Sequence, residues 1–150
     1  LRYLLVTNNG ENLSILVSSV IFTFFHAINP NIQIIGLVNI FLAGVVLSQL
    51  FIYFNFNLWL AIGLHWSWNF FQGAVYGFAV SGMNVTSIIS PVMNENNIMN
   101  GGKFGLEGSI VTVFVMIAFT AFLYTFRNKY SIVQSNKNKQ TTAPSGTDKW

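Results

Sequence analysis

Apolar residues along this chain come in long blocks separated by short polar breaks. Four such blocks cover residues 13–29, 33–54, 58–80 and 109–126. A helix rises about 1.5 Å per residue, so the second block alone is long enough to cross the roughly 30 Å hydrocarbon core of a bilayer. The pattern predicts an all-α fold, a polytopic bundle of about four transmembrane helices.

The breaks between the blocks differ in kind. Asn29-Pro30-Asn31 ends the first block, because proline lacks a backbone donor and disfavours helix in the residue before it. Residues 81–107 are rich in Gly and Asn, and we interpret them as a flexible external connector. The alternative is a lid or substrate guide, in which the glycines permit tight turns.

The sequence divides into an apolar part, residues 1–126, and a polar tail, residues 127–150. The tail is rich in Lys, Asn, Gln, Thr and Ser, a composition that favours disorder. It also holds five of the seven basic residues, Arg127, Lys129, Lys137, Lys139 and Lys149. Basic residues flank membrane spans on the cytoplasmic side, so we predict a multi-pass protein of the cell membrane with a cytoplasmic C-terminus.

Composition supports a membrane protein and excludes several other classes. The chain is 53% hydrophobic and 7% charged, whereas soluble domains carry roughly 25% charged residues. Between Glu11 and Glu95 there is no Asp, Glu, Lys or Arg, so the lipid bilayer is the expected partner. The net charge of +3 comes mainly from the tail, and no nucleic-acid partner is expected. The absence of Cys excludes disulfides and thiolate chemistry.

Strongly polar residues inside the apolar blocks are the candidates for chemistry, because polar groups in hydrocarbon are unfavourable unless they are paired or face water. They are His26, Asn39, Gln49, His65, Asn69 and Gln72. A single histidine of this kind is more often a hydrogen bond between helices than a catalytic group. His65 and Asn69 are four residues apart and share one helix face, so together they can orient a water molecule or stabilise an oxyanion.

Common protease signatures are missing from the sequence. There is no His-Glu-x-x-His and no Gly-x-Ser-x-Gly, and the only aspartate is Asp148, in the tail. An intramembrane aspartyl dyad is therefore excluded. Two histidines and an asparagine lack the third strong ligand of a zinc site and the carboxylate of a general base. The sequence by itself is chemically incomplete.

Two short motifs resemble those of one family of membrane proteases. Phe22 and His26 form Phe-x-x-x-His, and His65 and Asn69 form His-x-x-x-Asn within Trp-Ser-Trp-Asn-Phe-Phe-Gln-Gly. In this order and context they resemble the CAAX-protease-like family, also called CPBP or Abi, which includes the CAAX prenyl proteases of eukaryotes. The likeness covers residues 10–126, which resemble the C-terminal part of the protease domain.

The resemblance implies an intramembrane endopeptidase that acts on a peptide or protein. The family's first motif, Glu-Glu-x-x-x-Arg, does not occur here, so we expect it upstream of Leu1 and expect this chain to be an N-terminally truncated, inactive fragment. That motif's glutamate would activate the attacking water. His26, His65 and Asn69 would position the water or stabilise the oxyanion. The family's metalloprotease name raises the alternative that these three residues bind a divalent metal such as zinc.

Two other functions stay open. A non-catalytic family member would serve as a membrane scaffold or in bacteriocin immunity, and a transporter or channel would line its pathway with the polar residues. One geometric requirement bears on the protease. A simple up-and-down topology places His26 and His65 toward opposite sides of the bilayer. A shared site therefore requires the Asn29-Pro30 break to lie below the membrane surface, or the helices to tilt.

Overall fold

Helices and loops make up the described part of this computed structural model, which covers residues 8–92 and 97–141. Its α-helices are α1 (Asn8–His26), α2 (Ile34–Tyr53), α3 (Leu58–Asn69) and α4 (Ile110–Thr141). A π-helix continues α3, and two short 3-10 helices precede α4; they are Phe70–Val75, Gly102–Phe104 and Leu106–Gly108. Those described ranges contain one isolated β-bridge and no strand, so the all-α prediction is confirmed.

Helix α2 lies at the centre and packs against α1, α3 and α4. Its buried residues Gly36, Ile40 and Gly44 are four positions apart and therefore share one face. A Cβ on Gly44 would lie 2.9 Å from the Cα of Ser19 in α1. Ser19 is itself fully buried. Small residues on both helices thus let the two backbones approach closely, as they do in membrane helix pairs.

Arg127 of α4 contacts two other helices at one end of the bundle. Its guanidinium forms an ion pair with Glu11 in the first turn of α1. The same group lies over the ring of Tyr53, the last residue of α2, with 4.8 Å between Cζ and the ring centroid. An ion pair and a cation–π contact therefore join three helices at this end.

The third apolar block forms a shorter helix than predicted. Helix α3 ends at Asn69, the π-helix ends at Val75, and the chain then turns at Gly77, where φ is +73°. A side chain at Gly77 would collide with the carbonyl of Ile89, so this turn requires glycine. The apolar residues after the turn serve to pack the following loop instead of extending the helix.

The two ends of the loop over residues 81–107 are folded into the protein, whereas residues 83–92 and 97–99 are mostly exposed, as expected for a connector. Gly82 N donates to the carbonyl of Phe104, and Ile88 N donates to the carbonyl of Ala74, both at 2.9 Å. The side chain of Phe104 is 0% exposed. The loop therefore contributes to the protein interior, and it brings its own polar residues there.

Helix α4 is longer than predicted and continues to Thr141, beyond the boundary expected between residues 126 and 127. The remainder of the predicted tail, residues 142–150, lies outside the described residues. In α2 and in residues 110–128 of α4 the helices are long and apolar enough to cross a membrane. Only 11% of that α4 window is buried by protein, so most of its apolar surface faces outward, as expected for contact with lipid.

Candidate active site

His26, His65 and Asn69 line one cavity in the middle of the helices. The ring centroids of His26 and His65 are 6.4 Å apart, with the planes at 85°. The cavity has a volume of about 140 Å³, which is room for several water molecules. The two imidazoles are therefore close together, as a shared site requires. Pro30 and Asn31, at the break between α1 and α2, are not covered by other parts of the protein.

The last turn of α1 fixes the His26 ring. Its Nδ1 lies 2.7 Å from the carbonyl oxygen of Phe22, one turn earlier. A carbonyl can only accept, so Nδ1 carries the proton of this bond, and Nε2 of the neutral ring is left as an acceptor. The Phe22 ring lies 4.3 Å from the His26 ring and 5.5 Å from the His65 ring. Phe22 thus spaces the two imidazoles, which gives the aromatic residue of the first motif a structural role.

His65 and Asn69 form the pair that their spacing predicts. Asn69 Nδ2 lies 3.3 Å from His65 Nε2. With the amide as donor, Nε2 accepts and Nδ1 of the neutral His65 ring carries hydrogen. The His65 Nδ1–H points away from Asn69, because the two nitrogens lie on opposite edges of the imidazole ring. The second N–H of Asn69 remains as the donor beside this pair and is suited to an oxygen that develops negative charge.

Glu107 is a functional candidate that sequence reasoning missed, because it lies outside the apolar blocks. Its side chain is buried and lines the same cavity. Gln72 Nε2 donates to Oε2 of Glu107, and Ser81 Oγ donates to Oε1 at 3.3 Å. Burial raises the pKa of the Glu107 carboxyl above its ordinary value, and the bonds from Gln72 and Ser81 partly oppose this effect.

Asn39 and Gln72 hold the loop that carries Glu107. Asn39 Nδ2 donates to the carbonyl oxygens of Glu107 and Ser109, at 2.7 and 2.8 Å. Gln72 Nε2 also donates to the carbonyl of Ala79, at 2.6 Å. The sixth polar candidate, Gln49, is buried on α2 but is not among the residues that line the cavity. Two of the candidates thus position backbone, and the sequence signal for them was their polarity within apolar blocks.

The donor set of the cavity does not complete a typical zinc site. Among the described residues, no three His, Cys, Asp or Glu side chains lie close enough to hold one metal ion. A cation between His26 and His65 would find Asn69 as its third neighbour, and a carboxamide is a weak ligand for zinc beside imidazole or carboxylate. The three residues are therefore better suited to hydrogen bonding and proton transfer than to holding zinc.

A second, more open hollow adjoins the cavity. It has a volume of about 480 Å³ and lies between α1, α2 and α3. Phe22, Leu47 and His65 line both hollows, so His65 is reached from two directions. Ser14 and Ser18 of α1 also line the open hollow, so part of its otherwise apolar wall is polar.

Comparison with known proteins agrees with this geometry. Residues 1–71 match the family model described as type II CAAX prenyl endopeptidase, Rce1-like. No curated protein and no solved structure matches the chain. The matched segment contains both motifs that carried the resemblance, together with every residue of the imidazole pair and Asn69. Over residues 1–71 the chain is therefore similar to the type II CAAX prenyl endopeptidase family, Rce1-like.

Proposed function

We propose that this chain is part of an intramembrane endopeptidase that hydrolyses a peptide bond in the cavity between His26 and His65. The observation that carries the proposal is the convergence of His26, His65 and Asn69, from two separate helices, on one small cavity. A protein that merely paired its polar groups for stability would have little need of a hollow at their meeting point. The family match over residues 1–71 supports the same activity.

The roles of the three residues follow from their hydrogen bonds. The free Nε2 of His26 accepts a hydrogen bond from water and turns its oxygen toward the substrate carbonyl. The second N–H of Asn69 donates to the carbonyl oxygen as it becomes negative, and His65 Nε2 holds that amide in place by accepting its other N–H. The surrounding wall is mostly apolar, which strengthens these contacts because little water competes for them.

A carboxylate base is part of the proposal as well. The family resemblance assigns that base to Glu-Glu-x-x-x-Arg, and the 150 residues contain no such motif. We infer that these 150 residues alone do not turn over substrate and that the carboxylate must be supplied to them. A chain with all three residues but no added carboxylate would then behave as the non-catalytic scaffold that the sequence leaves open.

The membrane arrangement belongs to the same proposal. Helices α2 and α4 cross the bilayer of the cell, α1 and α3 complete a bundle of about four spans, and the C-terminus lies in the cytoplasm. The open hollow between α1 and α3 gives an extended peptide or protein segment a route to His65. A divalent metal such as zinc, the remaining expectation from the family name, is tested by adding chelator and metal to the same assay.

The test is cleavage of a peptide by the chain in liposomes. For this test the chain is joined to a helix that carries Glu-Glu-x-x-x-Arg. We expect cleavage by this protein and a loss of about 100-fold or more in His65→Ala, the usual size of an acid–base or oxyanion contribution. Gly63→Ala is the matched control, because no atom lies within 4 Å of the added methyl group on the same helix. Full activity in His65→Ala would exclude the proposed mechanism.

A further inference from the structure

The cavity contains a second set of polar atoms besides the motif residues. The carboxyl group of Glu107 and the side chain of Asn39 both line it. Asn39 is 1% exposed, and its Oδ1 has no hydrogen-bond partner in the described part of the chain, although its Nδ2 makes two bonds. Buried acceptors are normally satisfied. This oxygen is itself closed to solvent, which leaves the carboxyl of Glu107 as the group of this set that can meet a bound molecule.

A peptide bond matches the two sets of polar atoms in the cavity. It has one acceptor, the carbonyl oxygen, and one donor, the N–H. Asn69, held by His65, provides a donor for the carbonyl. The Glu107 carboxyl provides an acceptor on another element of the same wall. The cavity thus offers complementary partners for both sides of the bond to be broken.

We propose that Glu107 binds the N–H side of the scissile peptide bond and protonates the leaving amine. The proposal rests on the peptidase function above and adds the acid that this function lacks. It also gives Glu107 a role that the start of α4 does not require.

The proton balance of the step is complete. Attack by water forms a C–O bond, and one water proton passes to the base while the other stays on the attacking oxygen. The C–N bond then breaks, its electron pair goes to nitrogen, and nitrogen takes the proton of the Glu107 carboxyl. The products are a carboxylic acid and an amine. The proton held by the base returns to Glu107 through water in the cavity, which restores the starting state.

The surroundings of Glu107 suit an acid. Burial raises its pKa, so the carboxyl keeps its proton to higher pH than an exposed glutamate does. Of the other ionisable groups, His26 and His65 line the same cavity, and Lys103 on the preceding 3-10 helix is exposed. The ionisable residues of the adjoining helices α2 and α4 lie about three turns or more further along them; they are Tyr53, Tyr124, Arg127, Lys129, Tyr130, Lys137 and Lys139.

Substrates with different leaving groups test the proposal. The liposome assay above is run with a peptide and with a matched thioester, whose thiolate leaves without first taking a proton. We expect Glu107→Gln to lower peptide cleavage by about 100-fold or more and to change thioester hydrolysis little. A purely structural role would lower both reactions together. Gln49→Met, which alters a buried polar side chain outside the cavity, should leave both unchanged.

The outcomes separate the two proposals. One outcome is that the unsubstituted chain, joined to the Glu-Glu-x-x-x-Arg helix, cleaves neither substrate. Another is that His65→Ala cleaves both substrates normally. Either outcome means that the peptidase function itself is wrong. If Glu107→Gln affects both substrates equally, or neither, the peptidase function stands and the acid role of Glu107 is overturned.

Chemical labelling provides a measurement that needs no turnover. Dicyclohexylcarbodiimide reacts with protonated carboxyl groups in apolar surroundings, and the chain in liposomes should be labelled at Glu107. Labelling should decrease as the pH rises and should be absent in Glu107→Gln. Glu11, which is paired with Arg127, is the internal control and should stay unlabelled. Absence of label at Glu107 would overturn the proposal even where the variant fails to fold.

Discussion

The rings of His26 and His65 meet edge to face, with their centroids 6.4 Å apart. They come from helices that do not follow one another in the chain, since α2 lies between α1 and α3. The Phe22 ring lies 4.3 Å from the His26 ring and 5.5 Å from the His65 ring, so the three rings pack together. This packing fixes the position of both imidazoles at the wall of the cavity.

Asn39→Ala should destabilise the protein by about 2–5 kcal/mol, because two buried carbonyl oxygens lose their donor at once. The acceptors are the backbone oxygens of Glu107 and Ser109. Thermal unfolding in detergent measures the effect, and Gly63→Ala serves as the control for a helix substitution that touches nothing. A melting temperature equal to that of the parent would show that Asn39 does not hold the loop.

Gly44→Val should force α1 and α2 apart. Its Cβ would lie 2.9 Å from the Ser19 Cα, and backbone cannot move aside as a flexible side chain does. Overpacking of this kind costs about 1–3 kcal/mol. Because Phe22 and His26 are carried by α1, cleavage should fall along with stability. Gly63→Val on α3 meets no atom and should change neither. An unaltered Gly44→Val protein would mean that the helices are not this close.

The motif residues could be predicted from the sequence, but the position of Glu107 in the cavity could not. The four-residue spacing of His65 and Asn69 fixes a shared helix face, and the observed contact of 3.3 Å follows from it. The inward position of Glu107 depends on Gln72, which is 35 residues away in the chain, and on how the loop folds. Periodicity contains no information about such contacts. The glycines of the loop were visible in the sequence, but their turns were assigned to flexibility.

Glu11 and Arg127 should contribute a measurable but small coupling energy. Their side chains are 15% and 26% exposed, so the ion pair is only partly screened by solvent. A double-mutant cycle with Glu11→Gln and Arg127→Gln should give about 0.5–1 kcal/mol, near the upper end for accessible pairs. Added salt should reduce the coupling. The cation–π contact between Arg127 and Tyr53 would remain in Glu11→Gln but would be lost in Arg127→Gln. Arg127→Gln should therefore destabilise the protein more than Glu11→Gln does.

Glu107 should make stability depend on pH in a direction opposite to that of an ordinary salt-bridged carboxylate. Its pKa is raised in the folded protein, so the folded state binds the proton more tightly than the unfolded state. Stability should therefore be greatest below the unfolded pKa and should fall as the pH rises through the interval up to the folded pKa. Unfolding of the parent and of Glu107→Gln is compared across this range, and the slope should be absent from the variant. An identical slope in both proteins would assign it to another group.

Gly105→Ala should unfold the loop without affecting the helices. The φ of Gly105 is +92°, and an added Cβ would collide with the carbonyl of Ala79. That carbonyl also accepts the bond from Gln72 Nε2, so the substitution disturbs the group that holds the Glu107 carboxyl. Limited proteolysis should find new cleavage sites within residues 97–109, while far-ultraviolet circular dichroism stays close to that of the parent. His26 and His65 remain in place in this variant, so thioester hydrolysis should persist while peptide cleavage is lost. Retention of both reactions would show that the loop is not needed to present Glu107.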